Sequence, residues 1–415
     1  MISQIKMRIR FAHAADCHLG GWREEKINRL NLDSFKHFID KCIEEKEKNN
    51  LDFVIIVGDL FDVALPSIDI LKFAAEQLKR LKDKNITCYI SAGSHDFSVS
   101  GKTMLSVLSN AGLFHFLGEK ESVGVTETEN CIFLHLTGKK SSLELNEIEK
   151  LNEIALKIKD NNKIKIALLH TTIEEFLNDK AEFMDSIKAE LLPPGFDYYA
   201  AGHLHNKQIK KIGEKIISYS GALFPDNFEE LEKLRHGWFN FVEIDTEKAD
   251  KVKIEEIPVK LADIIFLDIN AENKNIEGIN KEIEEKLKKE DLKEKILMLK
   301  ISGELEKGNP SEVDFKNIKN ILEEKEGLAL LRNISKLTTK DFEIKVDIKS
   351  ENVEDIEKEL IEKHFENEER EISLLLIECF DKEKEEGELN RDFEERLLKE
   401  VMENLNLKSI WEDVN

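Results

Sequence analysis

Asp52-Phe53-Val54-Ile55-Ile56-Val57-Gly58-Asp59-Leu60-Phe61-Asp62 is the stretch on which the fold turns. The run from Phe53 to Val57 is too short for a helix and β-branched at all but its first position. Such a run reads as a strand buried on both faces. It breaks at a glycine, which lets the backbone turn sharply. The turn leaves the carboxylate of Asp59 at the strand's carboxyl end, where open α/β sheets hold their ligands.

Four more polar clusters lie outward from it: Asp16-Cys17-His18, Gly93-Ser94-His95-Asp96, His170, and Gly202-His203-Leu204-His205. Apolar runs precede them at 7–15, 87–92, 164–169 and 198–201, so their side chains sit on loops at strand ends. Taken singly, each also reads as a strand cap, an ordinary turn or an exposed histidine; in this order and setting they read as one convergent site. Further strands are expected at 131–136, 215–219 and 237–244. Helices are expected from Asp33 or Ser34, after a loop spanning 20–31, and from Pro66-Ser67 to about Lys84. The alternation predicts a β core with right-handed crossovers and helices on both sides.

Composition changes near Ile257-Pro258-Val259. We therefore expect a domain over 1–257, a smaller αβ domain over 258–350 with strands at 264–269, 296–301, 328–332 and 342–346, and an acidic helical tail over 351–415. The whole chain carries −23. Residues 258–415 hold 27 Lys+Arg against 43 Asp+Glu, or −16, which leaves −7 on the motif-bearing part. No run approaches the ~18 apolar residues of a membrane span, and the first residues lack an apolar signal core, so no membrane partner and a cytoplasmic location are expected. The five scattered cysteines show no CxxC pairing and read as free thiols.

The mixed oxygen and nitrogen donors suit Mn²⁺ or Fe, with Zn²⁺ also compatible. Asp16 and His18, two apart on an extended segment, would point the same way and grip one ion, with Cys17 pointing oppositely. His203 and His205 share that spacing, though a turn can splay them toward different ions. Two divalent ions ~3.5–4 Å apart activate water and polarise a phosphoryl oxygen for in-line attack. His95 remains as proton donor or charge stabiliser, with Asp96 expected to fix its tautomer. Phosphate contacts are expected from Arg23, Lys26 and Arg29 after the first cluster and from Lys207, Lys210 and Lys211 after the last; the same side chains also read as plain solvated surface.

The ordered motifs DxH, GD, G-x-H-D, a lone His and GHxH resemble those of the calcineurin-like metallophosphoesterases. Within these, Gly58-Asp59-Leu60-Phe61-Asp62, Leu168-Leu169-His170, the run from Phe196 to His205 and Tyr219-Ser220-Gly221 are similar to the SbcD, or meiotic recombination 11 type, DNA double-strand-break repair nucleases. The resemblance is specific over about 7–245. It implies an α/β (α+β) four-layer sandwich with a smaller αβ cap and Mn²⁺-dependent exonuclease and endonuclease action on DNA. It also implies an SMC-like ABC ATPase partner of SbcC type and a homodimer, for which the helix carrying Ile68, Leu71, Ala75 and Leu78 and the segment 104–108 are candidates. Carried over by position, one ion takes Asp16, His18, Asp59 and His205, and the other takes Asp59, Ser94, His170 and His203, with His95 in the transition-state role. Ser94 departs from the family's Asn, whose amide oxygen is the better ligand. That departure keeps a weakly catalytic or non-catalytic DNA-end scaffold open beside the nuclease. The acidic surface keeps a phosphatase or phosphodiesterase acting on small nucleotides open too.

Overall fold

The structure, a computed structural model, describes residues 7–98, 102–119, 121–138, 145–159, 162–177, 186–339, 367–380, 382 and 390–404. The 53–57 run is a strand, and alternation explains its unbroken apolarity. Val54 and Ile56 pack toward helices, while Phe53, Ile55 and Val57 pack toward a second sheet.

The first sheet has the order β12-β11-β1-β2-β3-β4. Its strands are β1 (Arg8–Ala14), β2 (Phe53–Val57), β3 (Thr87–Ser91), β4 (His115–Leu117), β11 (Gly237–Asp245) and β12 (Val252–Val259). The first four run parallel, and β11 and β12 close the sheet antiparallel. The second sheet has the order β5-β6-β7-β8-β10-β9. It comprises β5 (Val123–Glu127), β6 (Cys131–Leu136), β7 (Ile164–His170), β8 (Tyr198–Gly202), β9 (Gln208–Ile212) and β10 (Lys215–Tyr219).

Phe11, Ile55 and Val57 of one sheet meet Phe133, Ile166, Leu168 and Tyr198 of the other. The first sheet's outer face is covered by α1 (Glu25–Asn49), α2 (Ile68–Asp83) and α3 (Met104–Asn110), through Phe35, Phe38, Leu78, Leu81 and Leu105. The second sheet's outer face carries α4 (Leu145–Lys157), through Ile148 and Leu151. The result is the expected sandwich of helix, sheet, sheet and helix.

A third, all-parallel sheet follows. Its strands are β13 (Asp263–Asn270), β14 (Lys295–Leu305) and β15 (Ala329–Thr339), joined by α6 (Ile276–Lys289) and α7 (Phe315–Glu324). One face packs on α6 and α7 through Ile279, Ile283, Leu287 and Ile318. From the other, Ile296, Met298, Ala329 and Leu331 meet Ile27, Phe224 and Leu231, the last on α5 (Phe228–Leu234). The composition shift at 257–259 falls in β12, an edge strand on which Pro258 is tolerated because no further strand needs its N–H.

Two sequence expectations need correction. The segment 20–31 is not all loop, because α1 starts at Glu25, capped by the Glu24 carboxylate on the Ile27 N–H. Burial of Ile27 and Asn31 supports those added turns. The strand expected at 328–332 is the start of the longer β15, and the one expected at 342–346 lies outside the described residues. Residues 1–339 and 340–415 form separate compact units. In the second, helices span Asn367–Phe380 and Asn390–Asn404. No described helix is long and apolar enough to cross a membrane, and all five cysteines are free and buried.

Candidate metal centre

The loops after β1, β2, β3 and β8, together with the end of β7, converge. Backbone bonds stitch the first two: Asp16 N–H donates to Gly58 O (3.2 Å), Cys17 N–H and His18 N–H to Asp59 O (2.8 and 3.0 Å). Asp16, His18, Asp59 and His203 all have positive φ, at 50°, 42°, 48° and 92°. Residues with a Cβ seldom adopt that region, and such strain clusters at functional sites. Asp16 and His18 thus share a direction through a left-handed turn, not through the strand alternation expected from sequence. Cys17 turns into the apolar core beneath them.

Two glycines make room. A Cβ on Gly58 would lie 1.9 Å from His170 Nδ1, and one on Gly93 would lie 2.2 Å from Asp59 Oδ1. Any side chain at either position would displace a candidate ligand.

Donor atoms gather in overlapping groups, each within 4.8 Å: Asp16 with His18 and His205; Asp59 with His170 and His203; and Asp59 again with His18 and His95. Asp59 Oδ2 lies 3.1 Å from His170 Nε2 and 3.7 Å from His18 Nε2. Both nitrogens are buried and without a hydrogen-bond partner. Imidazole nitrogens aimed at one carboxylate, unsatisfied by the protein, fit a pair of divalent cations sharing that carboxylate.

The electrostatics agree. Burial alone would lower the pKa of His18, yet Asp62, Asp59, Asp16 and Asp226 outweigh it and raise it to about 9. His170 is raised to about 10, against its burial, by Asp59 and Asp16. Asp59, although buried, is held well below the usual carboxylate range by His170, His18 and His95. Such a cluster has surplus negative charge, which divalent cations neutralise.

His95 is exposed at the loop tip, its ring 4.7 Å from that of His18. Its Nδ1 lies 2.7 Å from the Asp62 carbonyl oxygen, an acceptor only, so Nδ1 carries a proton and Nε2 is left free of that bond. Asp96 does not fix that tautomer, contrary to expectation. Its buried carboxylate accepts the N–H groups of Gly93, Phe61 and Leu60 (3.0, 3.1 and 3.3 Å) and so ties the two ligand loops together. Burial, with Asp59 nearby, raises Asp96 to about 6. Ser94 is half-buried between Gly93 and His95.

Of the cations expected to meet phosphates, Arg23, Lys26, Arg29 and Lys211 are exposed. Two others are engaged within the chain. Lys207 pairs with Glu256 (2.6 Å) and lies 4.0 Å over the Trp238 ring, and Lys210 donates to the Glu175 carbonyl oxygen.

Three carboxylates around the site had no role in the sequence reading. Asp62 lies 3.5 Å from His18 Nδ1, Glu230 Oε2 is 2.8 Å from His205 Nδ1, and Asp226 groups with His18 and Asp62. Asn227-x-x-Glu230 has capping-box spacing, the one signal that marked this turn as structured.

Residues 9–207 match the family model described as calcineurin-like phosphoesterase. The chain is 30% identical to the DNA double-strand break repair protein Mre11 of Methanocaldococcus jannaschii over 281 residues, covering 65% of this chain and 72% of that protein. Its counterpart in Archaeoglobus fulgidus is 25% identical over 420 residues, covering 95% and 90% of the two chains. That of Sulfolobus acidocaldarius is 29% identical over 303 residues, covering 71% and 75%.

Proposed function

Because the chain belongs to the Mre11 family of calcineurin-like phosphoesterases, and is therefore a metal-dependent phosphodiesterase, we propose that it cleaves DNA at double-strand breaks through a two-ion site. The observation that carries this reading is the position of Asp59. Its Oδ2 faces His18 Nε2 from one subsite and His170 Nε2 from the other, so one carboxylate serves both.

Bound divalent ions, for which the donor set favours Mn²⁺, supply Lewis acidity and a water acidic enough to react near neutral pH. The protein's own residues do the rest. Asp16, His18 and His205 would hold one ion and His170 and His203 the other, with Asp59 common to both and Ser94 at the position of the family's Asn. The Asp16 carboxylate also accepts the His203 N–H, at 3.0 Å to each oxygen, which holds the last ligand loop against the first. His95 would present Nε2 to the phosphate and, when both ring nitrogens carry a proton, would pass the Nε2 proton to the leaving oxygen while Nδ1–H stays on the Asp62 carbonyl. Exposed Arg23, Lys26, Arg29 and Lys211 steer the DNA backbone.

By family, an SMC-like ABC ATPase is the expected partner and a homodimer the expected assembly. Exposed Leu65 before α2, Ile68 at its start and Val107 on α3 are compatible with the latter. The test is Mn²⁺-dependent degradation of end-labelled single-stranded and duplex DNA, with Asp59→Ala and Ser94→Asn in parallel. Cleavage is expected in the wild type, none in Asp59→Ala, and faster cleavage in Ser94→Asn. DNA binding without cleavage, relieved by Ser94→Asn, would move the reading to an end-binding scaffold; turnover of nucleotides alone would move it to a small-substrate phosphodiesterase.

A further inference from the structure

The two subsites differ in what stands behind their imidazoles. His170 Nδ1 lies 3.0 Å from the Val57 carbonyl oxygen, a neutral acceptor. His205 Nδ1 instead lies 2.8 Å from the carboxylate of Glu230, the one carboxylate in hydrogen-bond contact with a candidate ligand's Nδ1 among the described residues. Asp62 at 3.5 Å from His18 Nδ1 and Asp16 at 3.8 Å from His170 Nδ1 stand farther off. An anionic acceptor orients an imidazole and also makes its other nitrogen a stronger donor.

Glu230 is itself held on several sides. Its Oε2 accepts the Asp226 N–H (3.0 Å), its Oε1 accepts from Asn227 Nδ2 (2.9 Å), and Asn227 Oδ1 in return accepts the Glu230 N–H (3.0 Å). This is a variant of the capping box at the start of α5, in which the glutamate reaches the N–H of the residue before the N-cap and is shared with a candidate ligand. The helix is fixed on its far side: Leu231 packs into the cluster with Ile296, Met298 and Leu331, and Glu232 pairs with Lys300 of β14 (2.9 Å).

From this asymmetry we propose that Glu230 is a positioning residue for His205, and that it makes the Asp16–His18–His205 subsite the tighter of two unequal cation sites. The inference rests on the two-ion reading above. The His170–His203 subsite, backed by a neutral carbonyl and offered Ser94 where the family has Asn, is the weaker and fills second. The helix that carries Glu230 also ties metal affinity to the αβ unit packed against it.

Mn²⁺ is titrated into the metal-free full-length protein, with bound ion counted by electron paramagnetic resonance and melting temperature recorded alongside. The wild type should bind one ion tightly and a second more weakly. Glu230→Ala should weaken the tight class by about 10–100-fold. Glu230→Gln, which keeps an acceptor but not the charge, should fall between and also serves if the alanine variant fails to fold. A helix cap with no part in the site would lower the melting temperature of Glu230→Ala and leave the tight class unchanged, which overturns the proposal. Two equal sites in the wild type overturn it as well, while leaving the two-ion reading intact. A wild type that binds no Mn²⁺ removes both.

Discussion

At the scale of single residues the proposal divides the site into groups that would bind ions and one group that would react. Asp59 is buried between two imidazoles, whereas His95 stands exposed with its Nδ1 committed to the Asp62 carbonyl oxygen. His95→Gln should therefore lower the turnover number by about 10²–10⁴-fold, the usual weight of one general acid. Mn²⁺ stoichiometry should be unchanged. Loss of an ion in that variant would instead make His95 a ligand, as its grouping with His18 and Asp59 allows. Away from the site, His135 makes a separate residue-scale prediction. It is 5% exposed, its Nδ1 has no hydrogen-bond partner, and burial lowers its pKa to about 4. A histidine depressed in the fold costs nothing above its unfolded pKa near 6.5. Below that pH the unfolded chain takes up a proton that the folded chain refuses, so stability falls from pH 6.5 down to about 4. At pH 5 the loss from this group is roughly 2 kcal/mol. His135→Leu should flatten that part of the pH profile in thermal melts at pH 7 and pH 5. An unchanged slope would place the acid sensitivity elsewhere, with His13, which burial lowers to about 3, the next group to test.

At the scale of elements, the strands that carry the site were legible and the parts that hold it from behind were not. β2 and the 166–169 part of β7 announce themselves because burial on both faces forces an unbroken apolar run, and the ligands follow directly from where those runs stop. The short edge strands β4, β5 and β9 carry half-exposed, mixed residues and leave no such mark. The first turns of α1 were hidden for a related reason. Lys26 and Arg29 are on its exposed face, Arg23 just precedes it, and only Ile27 and Asn31 report burial there, against groups distant in sequence. Glu230 was invisible as a site residue because its partner lies 25 positions away on another loop, and only the packing of α5 brings them within 2.8 Å. Asp96 shows the converse error. Adjacency to His95 suggested a partnership, but a side chain next in sequence on a tight turn points elsewhere, here to the N–H groups of Gly93, Leu60 and Phe61.

At the scale of the whole molecule, a chain of net charge −23 is proposed to bind a polyanion. The conflict is eased by where the charge lies, since residues 258–415 account for −16 of it. Charges farther apart than the Debye length, ~8 Å at physiological ionic strength, are largely screened, so the local surface counts for more than the total. Of the cations that follow the first and last ligand clusters in sequence, the exposed Arg23, Lys26, Arg29 and Lys211 are the ones proposed to meet phosphate, because Lys207 and Lys210 are engaged by Glu256 and the Glu175 carbonyl. Binding should then depend on few phosphate contacts and on the ions themselves, giving a salt dependence that is steep but limited. Each contact contributes a slope of about −0.9 in log K against log salt. The triple variant Arg23→Gln, Lys26→Gln, Arg29→Gln should weaken duplex binding and reduce the slope by up to about 2.7. Its Mn²⁺ binding should match the wild type, since the candidate ligand groups are made of histidines and carboxylates alone. Fluorescence anisotropy with a labelled duplex across a salt series, with Mn²⁺ and with chelator, measures both quantities. An unaltered slope in the triple variant would show that Arg23 and the start of α1 do not face DNA, and Lys211, exposed on β9, would be the next cation to substitute.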